Sequence, residues 1–188
     1  MKKTSKKALP IAMEFEGIPV EVFHRRVKYA RVEFKTNKLH VIVSPWVSPM
    51  EVLERNRTSI LKKFHKHKNA VEEARKTPMV DWTEDEFIAI IQRYVEQYSR
   101  KLKVKTTEVK LRKMRRRWGS CRRDGMITLN AYLQFVPEHL IAYIIFHELS
   151  HLLVRSHNMK FKSIIVSEFP NYRLMDKELL IYGIKLLS

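Results

Sequence analysis

The stretch from Leu140 to Val154, Leu-Ile-Ala-Tyr-Ile-Ile-Phe-His-Glu-Leu-Ser-His-Leu-Leu-Val, constrains this chain more than any other. It reads as one apolar helix, interrupted only where His147, Glu148 and His151 stand. Polar groups left unpaired in apolar surroundings are costly, so three ionisable side chains there call for a shared partner. Positions i and i+4 differ by about 40° around a helix, which turns both imidazoles the same way. Two ring nitrogens so placed can hold one zinc ion. Glu148, beside the first histidine, then reaches the metal's water rather than the metal and can act as general base.

A catalytic zinc takes three protein ligands and keeps one position open. His157 follows His151 just past the expected helix end at Arg155-Ser156, and a chain that turns back there brings it under the metal. Glu168, a later carboxylate, is the alternative third ligand. His24, His40, His65, His67 and His139 lack ligand spacing to this group and read as surface or packing residues. Cys121 is the single cysteine, so no internal disulfide forms, which suits a reducing, cytoplasmic compartment. It reads as packed behind a Gly-Ser turn, with a fourth metal ligand or a redox sensor as the other options.

The order of elements is α+β. Residues 1–10 read as a basic disordered tail and 11–188 as one domain, subdivided into 11–70 and 81–188. The first part alternates as strands with turns at Gly17 and Asn37, a meander, and then a helix from Ser48-Pro49 to about Lys68. Residues 66–80 read as a connection. Thr83-Glu84-Asp85-Glu86 caps a second helix whose stripe Phe87, Ile90, Ile91, Tyr94, Tyr98 belongs to the core. Val109–Trp118 and Met126–Leu129 read as strands about a turn at Arg122–Gly125. Helices follow from Pro137 to Val154 and, broken at Pro170, over 159–188. No apolar run is long enough to span a bilayer, so no membrane partner is expected. With only 4 glycines, a phosphate-cradling loop is excluded.

Lys and Arg number 37 against 20 Asp and Glu, a net charge of +17. A surplus of this size raises the prospect of an anionic partner, nucleic acid or nucleotide, on the basic surface. Arg115, Arg116 and Arg117 could grip an anionic substrate or simply line a solvated edge.

Arg117-Trp118-Gly119-Ser120-Cys121, Ile127-Thr128-Leu129-Asn130, Pro137, the His147-Glu148-x-x-His151 helix, His157 and Asn171-Tyr172 after Pro170 together resemble the YgjP-like metallopeptidases, relatives of SprT and WLM minigluzincin-type proteases. The likeness runs from about Val22 to Tyr172. It implies a compact zincin-like core, with the metal-binding helix packed beside a β-hairpin or small antiparallel sheet, after an N-terminal strand meander and helix. It implies zinc on His147, His151 and His157 with Glu148 as base. It also implies a cleft edged by the strand 126–130, where an extended peptide pairs, making Arg117, Leu129 and Asn130 candidate substrate contacts. Ser150 and Lys162 depart from the family's usual Cys and Trp, which touches the cleft lining rather than the metal. The expectation is therefore a zinc-dependent hydrolase of peptides or proteins, using zinc-bound water activated by Glu148. A nucleotide or phosphoester hydrolase at the same metal, or a nucleic-acid-associated protease of SprT type, are the alternatives.

Overall fold

The computed structural model describes residues 9–35 and 37–187. Apart from Leu9 and Pro10, the expected basic tail 1–10 lies outside them. The chain divides into two compact units, Met1–Glu72 and Glu73–Ser188.

The first unit holds β1 (Ile11–Phe15), β2 (Ile18–His24), β3 (Arg31–Phe34) and β4 (Leu39–Val43). Glu16 and Gly17, with φ of 54° and 73°, make the tight turn between β1 and β2. The strands fall where alternation puts them, but their order is β1-β2-β4-β3, with β2 parallel to β4. The connectivity is thus not a plain meander. Alternation fixes which face of a strand is buried and leaves its neighbour open. The near-continuous apolar run Leu-His-Val-Ile-Val is the signature of a central strand, and Leu39, Val41 and Val43 are fully buried. Their core includes Phe15, Val20, Val22, Leu53, Ile60 and Phe64.

Helix α1 (Pro49–Arg55) starts at the Ser48 cap, whose Oγ accepts from the Glu51 N–H at 3.4 Å. After Asn56 the chain continues as α2 (Arg57–Lys76). The expected connection 66–80 is therefore helical up to Lys76. Its Lys, Ala, Glu and Arg residues are polar yet strong helix formers, and Pro78 ends the run.

The second unit is built around one helix, α4 (Glu138–Ser150). Leu140, Ile141, Ile145 and Leu149 are fully buried. Helix α3 (Glu84–Leu102) packs against it, held in place at its start by the Thr83–Glu86 capping box. Arg93 and Tyr94 of α3 donate to the Glu138 carboxylate at 2.5 and 2.7 Å, and the Tyr98 and Phe146 rings meet edge to face at 5.0 Å. Helices α5 (Met159–Glu168) and α6 (Tyr172–Leu187) complete the core, broken at Pro170 as the sequence suggests.

A small sheet lies beside α4: β5 (Glu108–Arg112), β6 (Gly119–Cys121) and β7 (Met126–Asn130), in the order β5-β7-β6. The expected strand 109–118 is shorter, because 113–118 leave the sheet as a loop. Three consecutive arginines cannot alternate into a core. The strand β7 is central, parallel to β5 and antiparallel to β6, so it cannot be the edge to which a peptide adds. No helix among the described residues is long and apolar enough to cross a membrane.

Candidate metal centre and active site

Helix α4 presents His147 one turn before its end and His151 at its C-cap. The chain then makes tight turns, with Leu152, Leu153 and Val154 N–H groups bonded to carbonyls three or four residues back. It re-enters helix at Asn158, whose Oδ1 caps α5 by accepting from Phe161 N–H at 3.1 Å. His157, immediately before that cap, is thereby carried back to the other two. The donor atoms of His147, His151 and His157 lie within 4.8 Å of one another. Glu168 instead pairs with Lys101 and is absent from the cluster.

The cluster fits a metal ion. His147 Nε2 and His157 Nε2 face each other at 3.1 Å. Two nitrogens about 2.0–2.1 Å from one tetrahedral zinc would stand roughly 3.3 Å apart. His151 donates Nδ1–H to the Val154 carbonyl at 3.1 Å, which leaves Nε2 without a proton and free to bind. Burial, reinforced by the neighbouring imidazoles, lowers the His147 pKa to about 4, so its ring is neutral over the ordinary pH range. Burial also lowers that of His151, partly opposed by the Val154 carbonyl.

Phe161 forms the apolar floor of the cluster. Its ring centroid is 5.0, 4.6 and 4.7 Å from those of His147, His151 and His157. Tyr143, one turn before His147, meets that ring edge-on at 6.0 Å and donates to Asp176 at 2.8 Å. Neither is among the site residues that the sequence suggests. Spacing could have found both, since each stands four positions from a cluster histidine.

Glu148 is 7% exposed. Burial pushes its carboxyl from the ordinary 4.5 up to about 7, against the pull of Arg117 and Arg155. Its space is made by Gly119, where a Cβ would sit 2.6 Å from Glu148 Cγ and 2.7 Å from Oε1. The Trp-Gly-Ser motif and the zinc-type helix thus meet at one contact.

Both faces open on a cavity of about 790 Å³. The cluster and Glu148 line it together with Arg115, Arg116, Arg117, Arg155 and the apolar face of α6. Of the other expected substrate contacts, Leu129 and Asn130 are fully buried and do not line it. Leu129 is core. Asn130 holds the arginine loop: Nδ2 donates to the Met114 and Arg117 carbonyls at 2.7 and 2.9 Å, and Oδ1 accepts from Met114 and Tyr132 N–H, both at 3.2 Å.

Cys121 lines the cavity with its Sγ donating to the Arg122 carbonyl. Burial, with Glu148 nearby, pushes its thiol up to about 11, away from the thiolate a metal takes. It is not part of the metal-type cluster among the described residues.

A family model described as "YgjP-like, metallopeptidase domain" matches residues 27–181. No curated protein matches the sequence. Two metallopeptidase zymogens are among the solved structures that resemble part of it. The metallopeptidase zymogen abylysin of Pyrococcus abyssi is 24% identical, with a TM-score of 0.43 over 48% of this chain and 90% of its own. The metallopeptidase zymogen jannalysin of Methanocaldococcus jannaschii is 26% identical, with a TM-score of 0.42 over 48% and 92%.

Proposed function

The chain belongs to the YgjP-like metallopeptidase-domain family, and from that premise we propose that it is a zinc-dependent peptidase whose site is His147, Glu148, His151 and His157. The family match runs across both compact units, and we take 11–188 as one functional domain. A cytoplasmic setting is in keeping with the lone Cys121.

The observation that carries the reading is a buried carboxyl beside three converging imidazole nitrogens at the wall of a cavity. The histidines would hold the ion. Zinc so bound supplies a Lewis acid for the peptide carbonyl and acidifies a coordinated water toward about pH 7. Glu148 takes a proton from the attacking water and delivers it to the leaving nitrogen. A carboxyl whose pKa is raised to about 7 can do both near neutrality.

The strand a substrate would join is β6, whose only sheet partner among the described residues is β7. Trp118 O and Arg122 N bond to β7, so alternation turns the N–H and C=O of Gly119 and Cys121 outward. Arg155 Nη1 already occupies the Cys121 carbonyl, at 3.2 Å. An extended peptide would therefore meet the Gly119 backbone groups, directly over Glu148.

Glu148→Gln is expected to keep one zinc per chain and lose peptide hydrolysis. Cleavage retained by that variant would sink the mechanism.

A further inference from the structure

The cavity that holds the proposed site has two unlike walls. Leu179, Leu180, Ile184 and Leu187 of α6 make one of them aliphatic. Gly183 stands among them, and a Cβ there would meet Trp118 at an ordinary contact distance of 3.9 Å. The rest of the lining includes four arginines, Arg115, Arg116, Arg117 and Arg155, and none of them is in an ion pair among the described residues.

Three of these arginines stand on tied backbone. The Asn130 amide holds both ends of the segment 114–117, whereas the Arg155 guanidinium is itself held by the Cys121 carbonyl of β6. A guanidinium whose backbone is already ordered loses less entropy on binding and offers a planar fork to a carboxylate. Arg117 and Arg155 also act electrostatically on Glu148, so the positive field extends to the reacting centre. An inorganic phosphate would satisfy the arginines but leave the aliphatic wall unused. A peptide carrying an acid and an aliphatic side chain uses both walls at once.

We propose that this cleft selects peptides bearing a carboxylate close to the scissile bond, on the side that runs past Arg115–Arg117, together with an aliphatic side chain seated against α6. The inference rests on the peptidase reading and names its substrate class. The carboxylate can be an Asp or Glu side chain or a free C-terminus.

The test is a matched set of fluorogenic peptides with one Leu and Glu, Gln or Lys at successive positions, each with a free or an amidated C-terminus. The zinc-loaded full chain should favour Glu over Gln by about 10-fold or more in kcat/KM at one position, with the preference shrinking as salt rises. The Arg115→Glu, Arg116→Glu double variant should invert that preference toward Lys at the same position. Zinc-loaded Glu148→Gln protein, titrated with the same peptides by fluorescence anisotropy, should show the same order of binding. A preference that follows only the free C-terminus supports the proposal with the terminal carboxylate as the ligand. Equal cleavage and equal binding of Glu and Gln peptides, with no difference between free and amidated C-termini, overturn it and leave the peptidase reading standing. Selective binding with no cleavage of any peptide by the wild type removes the peptidase reading instead. Displacement of acidic peptides by a nucleoside triphosphate at far lower concentration overturns the proposal in favour of phosphate.

Discussion

The buried Glu148 makes a stability prediction that does not depend on knowing the substrate. Its carboxyl rises from 4.5 to about 7 in the folded protein, chiefly through burial. A raised folded pKa means the folded state holds a proton that the unfolded chain has released. Without metal, stability from this group is intact below about pH 4.5, declines as pH rises toward 7, and is then lost in full. The shift corresponds to about 3 kcal/mol at 1.36 kcal/mol per pKa unit. Glu148→Gln keeps the shape and removes the charge. Metal-free Glu148→Gln protein should therefore match the wild type near pH 4.5 and exceed it by up to about 3 kcal/mol at pH 8. In thermal unfolding that is a rise on the order of 10 °C. Zinc beside the carboxylate favours the charged form, so the gain should shrink once one equivalent is added. The measurement is denaturant and thermal unfolding of chelator-treated protein at several pH values, with and without zinc. A gain of the same size at pH 5 and pH 8, or none at pH 8, would refute the claim that Glu148 is held in a desolvated site.

Three further outcomes follow from single contacts. His157→Ala should weaken zinc binding by more than about 100-fold in a chelator competition, whereas Glu168→Ala, which removes a partner of Lys101, should leave it unchanged. Gly119→Ala should keep zinc but lower kcat about 100-fold, since its Cβ claims the space of Glu148 Cγ, 2.6 Å away, and displaces the base; full activity would show that the carboxylate tolerates another position. Asn130→Ala, which unties four hydrogen bonds at a fully buried amide, should cost about 2–4 kcal/mol in unfolding and increase proteolytic nicking within 113–118, and an unaltered nicking rate would mean the loop is held by something else.

Periodicity and caps carried most of the fold. Thr83, Ser48, Pro137 and Pro170 mark helix boundaries because a cap or a missing N–H acts locally. The polar run 66–76 was illegible as helix because it buries few residues, and its propensity speaks only through composition. Strand order was equally hidden. Placing β4 between β2 and β3, and β7 between β5 and β6, depends on which strands pair, and nothing local in a strand names its partner. The apolar run of β4 was the one available hint.

The site was legible to the extent that it repeats at helical spacing. His147, Glu148 and His151 follow from the period of a helix, and His157 from the need for a third donor, with the Asn158 cap fixing the return. Asn130 was legible as a motif residue but not in its role. A side chain with two donors and an acceptor reads as a substrate contact until the loop it satisfies is seen, and here that loop carries the arginines. This division of labour connects the two halves of the sequence motif. The buried amide at the end of β7 sets where the positive charge stands, and the missing side chain of Gly119 sets where the carboxylate stands. The arginines pull the Glu148 pKa down while burial pushes it up, and burial prevails. The result near 7 is a balance between a loop and a core, and neither the Arg-Trp-Gly motif nor the metal-type helix supplies both influences.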